Sequence, residues 1–165
     1  MPMQYEAFVA HPSDHEIVIS RLFDAPRELV FKAWTEPRHI LAWWGPKGFV
    51  NTECSVDLRV GGKFRLLMDG PDGNSYPCHG TYQEIIVPER ISYMGEADDR
   101  HACGAGIPPR ALVTVNFDDE DGKTKLTINT RLSSAAAKQA AAEGGYIPGW
   151  NGSLERLADH LVSTV

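Results

Sequence analysis

Three tryptophans lie within eleven residues of one another, at Trp34, Trp43 and Trp44. An indole ring offers a large apolar face for stacking and one N–H group that donates a hydrogen bond. Two interpretations follow: the rings pack helices onto the rest of the fold, or one of them, Trp43 or Trp44, lines the mouth of a cavity and stacks on a ring-bearing ligand. Because adjacent helical residues point in different directions, each interpretation can hold for a different tryptophan.

Cysteine and histidine occur close together twice, at Cys78 and His79 and at His101 and Cys103. Zinc sites need ligands grouped at short spacings such as C-x2-C. Neighbours in a strand point to opposite faces, so Cys78 and His79 cannot hold one ion together. The sequence therefore predicts no metal site. The three cysteines are an odd number, which predicts free thiols, with Cys54 and Cys78 buried and Cys103 exposed.

Two residues on predicted strands, His79 and Tyr93, are the candidates for acid–base catalysis if the protein is an enzyme. Strand alternation groups His79 with Thr81 and Tyr82 with Cys78, but a bulge can shift this alternation, so the inward-facing set stays open. The sequence has no G-x-S-x-G motif and no glycine-rich phosphate-binding motif. It therefore favours a protein that is not an enzyme and needs no cofactor.

The elements that position these residues follow from hydrophobic periodicity and turn signals. Short stretches of β-branched and alternating apolar residues predict seven strands. They cover residues 15–23, 50–60, 63–69, 76–87, 90–97, 111–118 and 123–132. Asp24 is the expected cap of a short helix after the first strand, and a second short helix covers residues 37–44. Two more helices cover residues 134–143 and about 148–163, the former capped by Ser133 or Ser134.

The last helix carries an apolar stripe at helical spacing, through Trp150, Leu154, Leu157, Ala158 and Leu161. The strands supply a matching apolar face, and burying one against the other gives a two-layer α+β fold. We therefore expect a helix-grip architecture: a curved antiparallel sheet of about seven strands wrapped around a long C-terminal helix. A twisted sheet around one helix tends to leave a cleft between them.

Bulk composition narrows the class of protein. The 165 residues suit one domain, with a core at about residues 15–163, and the net charge is −6. The absence of a basic cluster disfavours nucleic-acid binding, which draws on lysine and arginine. The sequence predicts no membrane span and no secretory signal, so the expected location is the cytoplasm.

Four segments carry a family resemblance: FDAPRELVFKAWTEPRHILAWWGPKGF (23–49), DLRVGGKFRLLM (57–68), HGTYQEIIVPERISY (79–93) and GWNGSLERLADHL (149–161). Together they resemble the activator of heat-shock protein 90 ATPase (Aha-type) family of the START-like, birch-pollen-allergen-like (SRPBCC) superfamily. The resemblance implies a helix-grip fold with an internal cavity. The eukaryotic namesake has a second, N-terminal domain that makes much of its chaperone contact.

The favoured function is binding of an apolar or amphipathic small molecule, hydrophobic or aromatic, between the sheet and the last helix, with residues 98–110 as an adjustable flap. The alternatives are a cyclase or hydrolase acting on a polyketide-like or reactive metabolite, and a stress-response module that contacts a chaperone ATPase. A homodimer is compatible with all three. The expected ligand-binding residues are Trp34, Trp43, Trp44, Phe49, Phe64, Leu66, Met68, His79, Tyr82, Tyr93, Val113, Val115, Phe117, Trp150 and Leu154.

Overall fold

The structure is a computed structural model that describes residues 8–96, 108 and 110–164. These residues form one antiparallel sheet of eight strands together with four helices. The strands are β1 (Phe8–Ser13), β2 (Glu16–Phe23), β3 (Val50–Val56), β4 (Lys63–Asp69), β5 (Ser75–Ile86), β6 (Arg90–Gly95), β7 (Leu112–Glu120) and β8 (Lys123–Arg131). The helices are α1 (Arg27–Thr35), α2 (Pro37–Trp43), α3 (Ala135–Glu143) and α4 (Tyr146–Thr164).

The strand order is β1-β2-β8-β7-β6-β5-β4-β3. Strands β3 to β8 form a meander, and β2 joins it by pairing with the last strand, where Ile19 lies opposite Ile128. This confirms the predicted α+β helix-grip fold. The structure has one more strand than predicted, β1. Its sequence signal is weak because it contains Pro12 and has no fully buried residue. Proline is tolerated on an edge strand such as β1, but it weakens the sequence signal for a strand.

The helix ends show why some caps are predictable and others are not. Ser134 caps α3 as expected, since its hydroxyl accepts a hydrogen bond from the Ala137 backbone N–H. Asp24 does not cap α1: the N-cap residue is Pro26, and no side chain caps this helix. Pro26 already presets the backbone angle at the helix start, so the helix begins without that hydrogen bond.

Helix α4 begins two residues before the predicted start and places Pro148 in its first turn, where a missing N–H costs nothing. Its 19 residues give a rod of about 28 Å. The predicted stripe is buried except at Ala158, which is partly buried, and it belongs to the same hydrophobic core as the inner face of the sheet and the buried faces of α1 and α2. Within the described part of the chain, no helix is long and apolar enough to cross a bilayer.

Candidate ligand-binding site

Helices α1 and α2 bring the three neighbouring tryptophans into mutual contact. Trp34 lies in α1, Trp43 ends α2, and Trp44 follows directly as the C-cap residue of α2. The ring centroid of Trp34 lies 5.0 Å from that of Trp43 and 5.6 Å from that of Trp44. All three side chains are buried. The helix pair therefore forms an aromatic layer rather than a set of separate surface rings.

Trp43 and Trp44 differ in the fate of their indole N–H groups. Trp43 Nε1 donates a hydrogen bond to the Ala33 carbonyl over 2.8 Å, which ties α2 to α1. Trp44 Nε1 is buried and has no hydrogen-bond partner among the described residues. The packing interpretation therefore fits Trp43, whereas the indole N–H of Trp44 is an unpaired donor.

Helix α4 adds a fourth tryptophan to this layer. Trp150 stacks on Trp34 with ring centroids 5.5 Å apart and an interplanar angle of 10°. It also meets Trp44 edge to face, at 5.4 Å and 72°. Contacts of these two geometries are the favoured ones between aromatic rings. Trp150 thus joins the first turns of α4 to both short helices.

The sheet continues the aromatic contacts. Phe64 of β4 lies 5.2 Å from Trp44 and 6.1 Å from Tyr93 of β6, measured between ring centroids. Tyr82 of β5 lies 6.2 Å from Tyr93 in a T-shaped contact. We call Trp34, Trp44, Phe64, Tyr82, Tyr93 and Trp150 the aromatic cluster. It spans α1, α4, three strands and the residue after α2, and it lies in the interior between the sheet and α4.

Most of the other predicted binding residues surround this cluster in the buried core. They are Leu66, Met68, Val113, Val115, Phe117 and Leu154. Phe117 contacts Trp34 at a centroid distance of 6.3 Å. Phe49 is only partly buried and lies against Tyr76, 5.7 Å away, at the margin of the core.

His79 is not brought to the aromatic cluster. It is half-exposed, and its Nδ1 atom lies 3.5 Å from a carboxylate oxygen of Glu96. The alternation in β5 instead buries Cys78, Gly80 and Tyr82. The set that contains Cys78 and Tyr82 therefore faces inward, and His79 lies on the opposite face of the sheet.

Burial governs the acid–base properties of the interior tyrosines. It raises the pKa of Tyr82 and raises the pKa of Tyr93 well above the ordinary value of a phenol. Burial also raises the pKa of Tyr146 to about 12, although a hydrogen bond with Thr130 opposes this rise. The cause in each case is the cost of placing a negative charge in an apolar region. These phenols are therefore neutral donors at physiological pH.

Several buried polar atoms of the aromatic cluster have no hydrogen-bond partner among the described residues. They are the Nε1 atoms of Trp34, Trp44 and Trp150 and the hydroxyl of Tyr93. Buried polar groups in native proteins are nearly always paired with protein or water, because leaving one unpaired costs free energy. Four unpaired groups within one aromatic cluster therefore make this interior the candidate site.

A contact that the sequence did not reveal fixes the position of Trp44. Arg156 of α4 places its Nη1 atom 3.0, 2.9 and 3.1 Å from the carbonyl oxygens of Trp44, Gly45 and Pro46. We call this contact the clasp. Gly45 has a φ of +95°, and a Cβ atom there would lie 2.7 Å from the Met68 sulfur, so glycine is required for the turn.

A second contact missed by sequence reasoning joins α2 to α4. His39 Nδ1 and His160 Nε2 are 2.8 Å apart, so one imidazole donates a hydrogen bond to the other. Burial lowers the pKa of both imidazoles, and nearby Arg38 lowers both further. Glu36 raises and Lys32 lowers the pKa of His39, whereas His39 lowers the pKa of His160. The two residues are 121 positions apart, and no local sequence pattern relates them.

Of the two described cysteines, Cys54 has the expected free thiol and Cys78 does not. Cys78 is disulfide-bonded, so the prediction of free thiols is wrong for this residue: an odd number of cysteines excludes complete pairing but not a single bond. Cys54 is free, and burial raises the pKa of its thiol to about 11, which leaves it a poor nucleophile at neutral pH. Among the described residues, no group of three or more potential metal ligands occurs.

Some sequence interpretations concern residues outside the described ranges. They are the His101 and Cys103 pair, the exposure of the Cys103 thiol, and most of the flap predicted at residues 98–110. They remain predictions.

An eight-stranded antiparallel sheet with a long C-terminal helix packed into its core defines a START-like helix-grip protein. Residues 24–162 match the family described as activator of Hsp90 ATPase homolog 1-like protein, and the chain belongs to this family. The resemblance expected from the sequence is therefore confirmed.

Solved structures agree with this assignment. A crystal structure of a Mycobacterium smegmatis protein is 27% identical, with a TM-score of 0.82, and the match covers 96% of this chain and 98% of that one. A solution structure from Arthrobacter aurescens is 26% identical, with a TM-score of 0.82 and coverage of 94% and 91%. An AHSA1-like protein from Aeromonas hydrophila, 23% identical with a TM-score of 0.68 and coverage of 89% and 93%, shares the fold. No curated protein matches this sequence.

Proposed function

We propose that the protein binds an apolar or amphipathic small molecule in the interior between the sheet and α4, against the aromatic cluster. The observation that carries this proposal is the set of unpaired polar atoms on Trp34, Trp44, Trp150 and Tyr93. Ligand sites are mostly apolar, with a few polar groups that orient the guest. The aromatic cluster has this composition, and its members come from separate helices and strands.

The family and fold support the same function at a coarser level, since a START-like domain is a general scaffold for small-molecule binding. Fold alone does not specify a ligand. The proposal therefore depends on the residues of the aromatic cluster rather than on the family name.

The test has two arms. Native mass spectrometry of freshly purified protein shows whether a small molecule co-purifies, and titration with a panel of lipids and aromatic compounds follows tryptophan fluorescence. All four tryptophans are buried and in contact, so a ligand at the cluster changes their emission. We expect saturable one-to-one binding of at least one compound class. The absence of both a bound mass and a saturable response would reject the proposal.

The enzymatic alternative receives less support from the described interior. Its leading acid–base candidate, His79, lies on the opposite face of the sheet. Tyr93 is in the interior, but its raised pKa keeps the phenol protonated near neutral pH, so it cannot act as a general base there. An unchanged mass of any bound compound after prolonged incubation would agree with binding without turnover.

The chaperone alternative is tested by an ATPase assay with a purified chaperone of the Hsp90 class. Under the proposed function we expect no stimulation, because the residues that carry the proposal are buried and cannot meet a protein surface. Stimulation that survives substitutions in the aromatic cluster would instead favour the interaction module.

A further inference from the structure

The unpaired atoms of the aromatic cluster specify the chemistry of a ligand as well as its presence. An indole N–H donates a hydrogen bond and cannot accept one. Three of the four unpaired groups are indoles, on Trp34, Trp44 and Trp150, and the fourth is the hydroxyl of Tyr93. The cluster therefore offers an excess of donors.

One of these donors has a polar neighbour. The indole N–H of Trp150 is close enough to the Tyr146 hydroxyl to oppose part of the rise in the pKa of that phenol. It nevertheless makes no hydrogen bond of ordinary geometry, and the Tyr146 hydroxyl is already bonded to Thr130. Trp150 therefore remains available to an acceptor from another molecule.

The other buried hydroxyls do not offset this excess. Ser153 donates to the Gly149 carbonyl and Thr124 donates to the Ala25 carbonyl, and neither hydroxyl oxygen accepts a hydrogen bond from an unpaired indole N–H of the cluster. Two unpaired acceptors, the side-chain oxygens of Asn51 and Asn151, belong to residues that are only partly buried. Asn51 contacts the cluster through its amide nitrogen, which donates to the Trp44 carbonyl, and its side-chain oxygen accepts no hydrogen bond from the unpaired indoles.

The charge environment favours a neutral acceptor over an anion. Burial disfavours the phenolate form of the tyrosines in this region, which shows how costly a negative charge is there. The guanidinium of Arg156 is directed at three backbone carbonyls. Arg21 is partly buried with an unpaired Nε atom, but the carboxylates of Glu155 and Asp159 already act on its charge.

We propose that the ligand of the aromatic cluster is a neutral, ring-containing molecule whose carbonyl oxygen accepts hydrogen bonds from the unpaired indole N–H groups. This inference rests on the proposed function, and it names the ligand class for that same site. An aryl ketone has the required features: a flat apolar ring to lie against indole faces, and one strong acceptor without charge.

The test compares three compounds built on one ring system: α-tetralone, tetralin and the corresponding tetralin carboxylic acid. The first has a carbonyl, the second has no acceptor, and the third is an anion at neutral pH. The wild-type protein, labelled with ¹⁵N, gives four indole N–H signals, one for each tryptophan. Trp43 is an internal reference, because its N–H is already bonded to the Ala33 carbonyl.

We expect α-tetralone to bind about tenfold more tightly than tetralin, since one additional hydrogen bond to a buried donor has an effect of this size. We also expect at least one of the Trp34, Trp44 and Trp150 indole protons to move downfield, while the Trp43 signal moves little. Single tryptophan-to-phenylalanine variants assign the signals.

A matched pair of variants adds an independent readout. Tyr93→Phe removes the unpaired hydroxyl and keeps the ring, so it should weaken α-tetralone binding more than tetralin binding; an equal effect on both would count against hydrogen bonding to the carbonyl at this end of the cluster. Tyr76→Phe, at a tyrosine outside the cluster that bonds to Asp72, is the control and should change neither affinity.

The possible outcomes separate the two proposals. Equal affinities for α-tetralone and tetralin without indole shifts would overturn the ligand class and leave the binding function standing. Tightest binding of the carboxylic acid would also overturn the ligand class and would assign an anion to Arg21. If none of the three compounds binds, the ligand class is rejected, and the compound panel then decides the fate of the binding function.

Discussion

Two sets of polar groups that hold or face α4, those of the clasp with the histidine pair and the indoles of the aromatic cluster, differ in whether they are paired within the chain. On the side of the clasp, Arg156 donates to the carbonyl oxygens of Trp44, Gly45 and Pro46. The Trp44 and Pro46 carbonyls each have one further donor, and His39 pairs with His160. On the side of the aromatic cluster, the indole N–H groups of Trp34 and Trp150 have no partner. Both sides hold α4 to the pair of helices α1 and α2, so the two sides differ in the pairing of their polar groups rather than in the helix pair they contact.

The difference separates stability from binding. A buried hydrogen bond within the chain stabilises the fold, whereas an unpaired buried donor destabilises it until another molecule supplies an acceptor. Under the proposed function, the clasp fixes α4 and the aromatic cluster recognises the ligand. Substitutions on the two sides should have opposite consequences, and the following experiments test that contrast.

The largest effect is expected at the clasp. Arg156→Met keeps much of the aliphatic length but leaves the carbonyls of Trp44, Gly45 and Pro46 without their charged donor. We expect the free energy of unfolding to fall by about 2–4 kcal/mol, measured by urea denaturation. Arg38→Met, at an exposed arginine, is the control and should change it by less than about 0.5 kcal/mol. A similar small decrease in the free energy of unfolding for both variants would mean that the clasp does not fix α4.

The next effect compares the adjacent tryptophans directly. Trp43→Phe and Trp44→Phe remove the same atoms, but only the first deprives the Ala33 carbonyl of its donor. We expect Trp43→Phe to lower the free energy of unfolding by about 1–3 kcal/mol more than Trp44→Phe in the ligand-free protein. Equal losses would mean that pairing of the indole N–H does not distinguish the two residues.

The fold was accessible from sequence because its signals are local. Alternating apolar residues such as Phe64, Leu66 and Met68 indicate one buried face of a strand, and the stripe of α4 repeats at helical spacing. The missed strand β1 is short, contains Pro12 and lies at the sheet edge, so tertiary pairing with β2 defines it rather than its own pattern.

The site was only partly accessible from sequence. Most of the aromatic and apolar side chains predicted to line a ligand site lie in the interior, because burial follows from periodicity; that they bind a ligand stays a prediction. Which side chains of β5 face inward was not predictable, since the pairing of β5 with β6 contains an irregularity between Tyr82 and Glu84. The clasp and the His39–His160 contact join residues more than a hundred positions apart, and only folding brings them together.

A smaller effect is expected at two buried tyrosines. Tyr146→Phe breaks the hydrogen bond with Thr130 and should lower the free energy of unfolding by about 1–2 kcal/mol. Tyr93→Phe removes a hydroxyl that has no partner, so it should change stability by less than about 0.5 kcal/mol or increase it slightly. Thermal denaturation of ligand-free protein measures both. A larger loss for Tyr93→Phe would show that its hydroxyl is satisfied within the fold, which would weaken the binding side of the comparison.

The smallest effect concerns pH and the histidine pair. Burial lowers the pKa of His39 and His160 below the usual 6.5; Arg38 lowers both further, Lys32 lowers that of His39, and Glu36 raises that of His39. Around and below pH 6.5 the unfolded chain therefore binds more protons than the folded chain. By linkage, the pair's contribution to stability is complete above that pH and declines as the pH falls below it.

The loss of stability at low pH is limited in size. One added proton still leaves one imidazole as donor and the other as acceptor, so only the second proton breaks the contact. Urea denaturation between pH 7.5 and pH 5 measures the decline as a decrease in the free energy of unfolding, by comparison of the wild type with His39→Gln. The variant should lose less stability over this range than the wild type, and the exposed His11→Gln control should follow the wild type. An identical decline in all three proteins would assign the pH dependence to other groups and would remove the His39–His160 pair from the comparison.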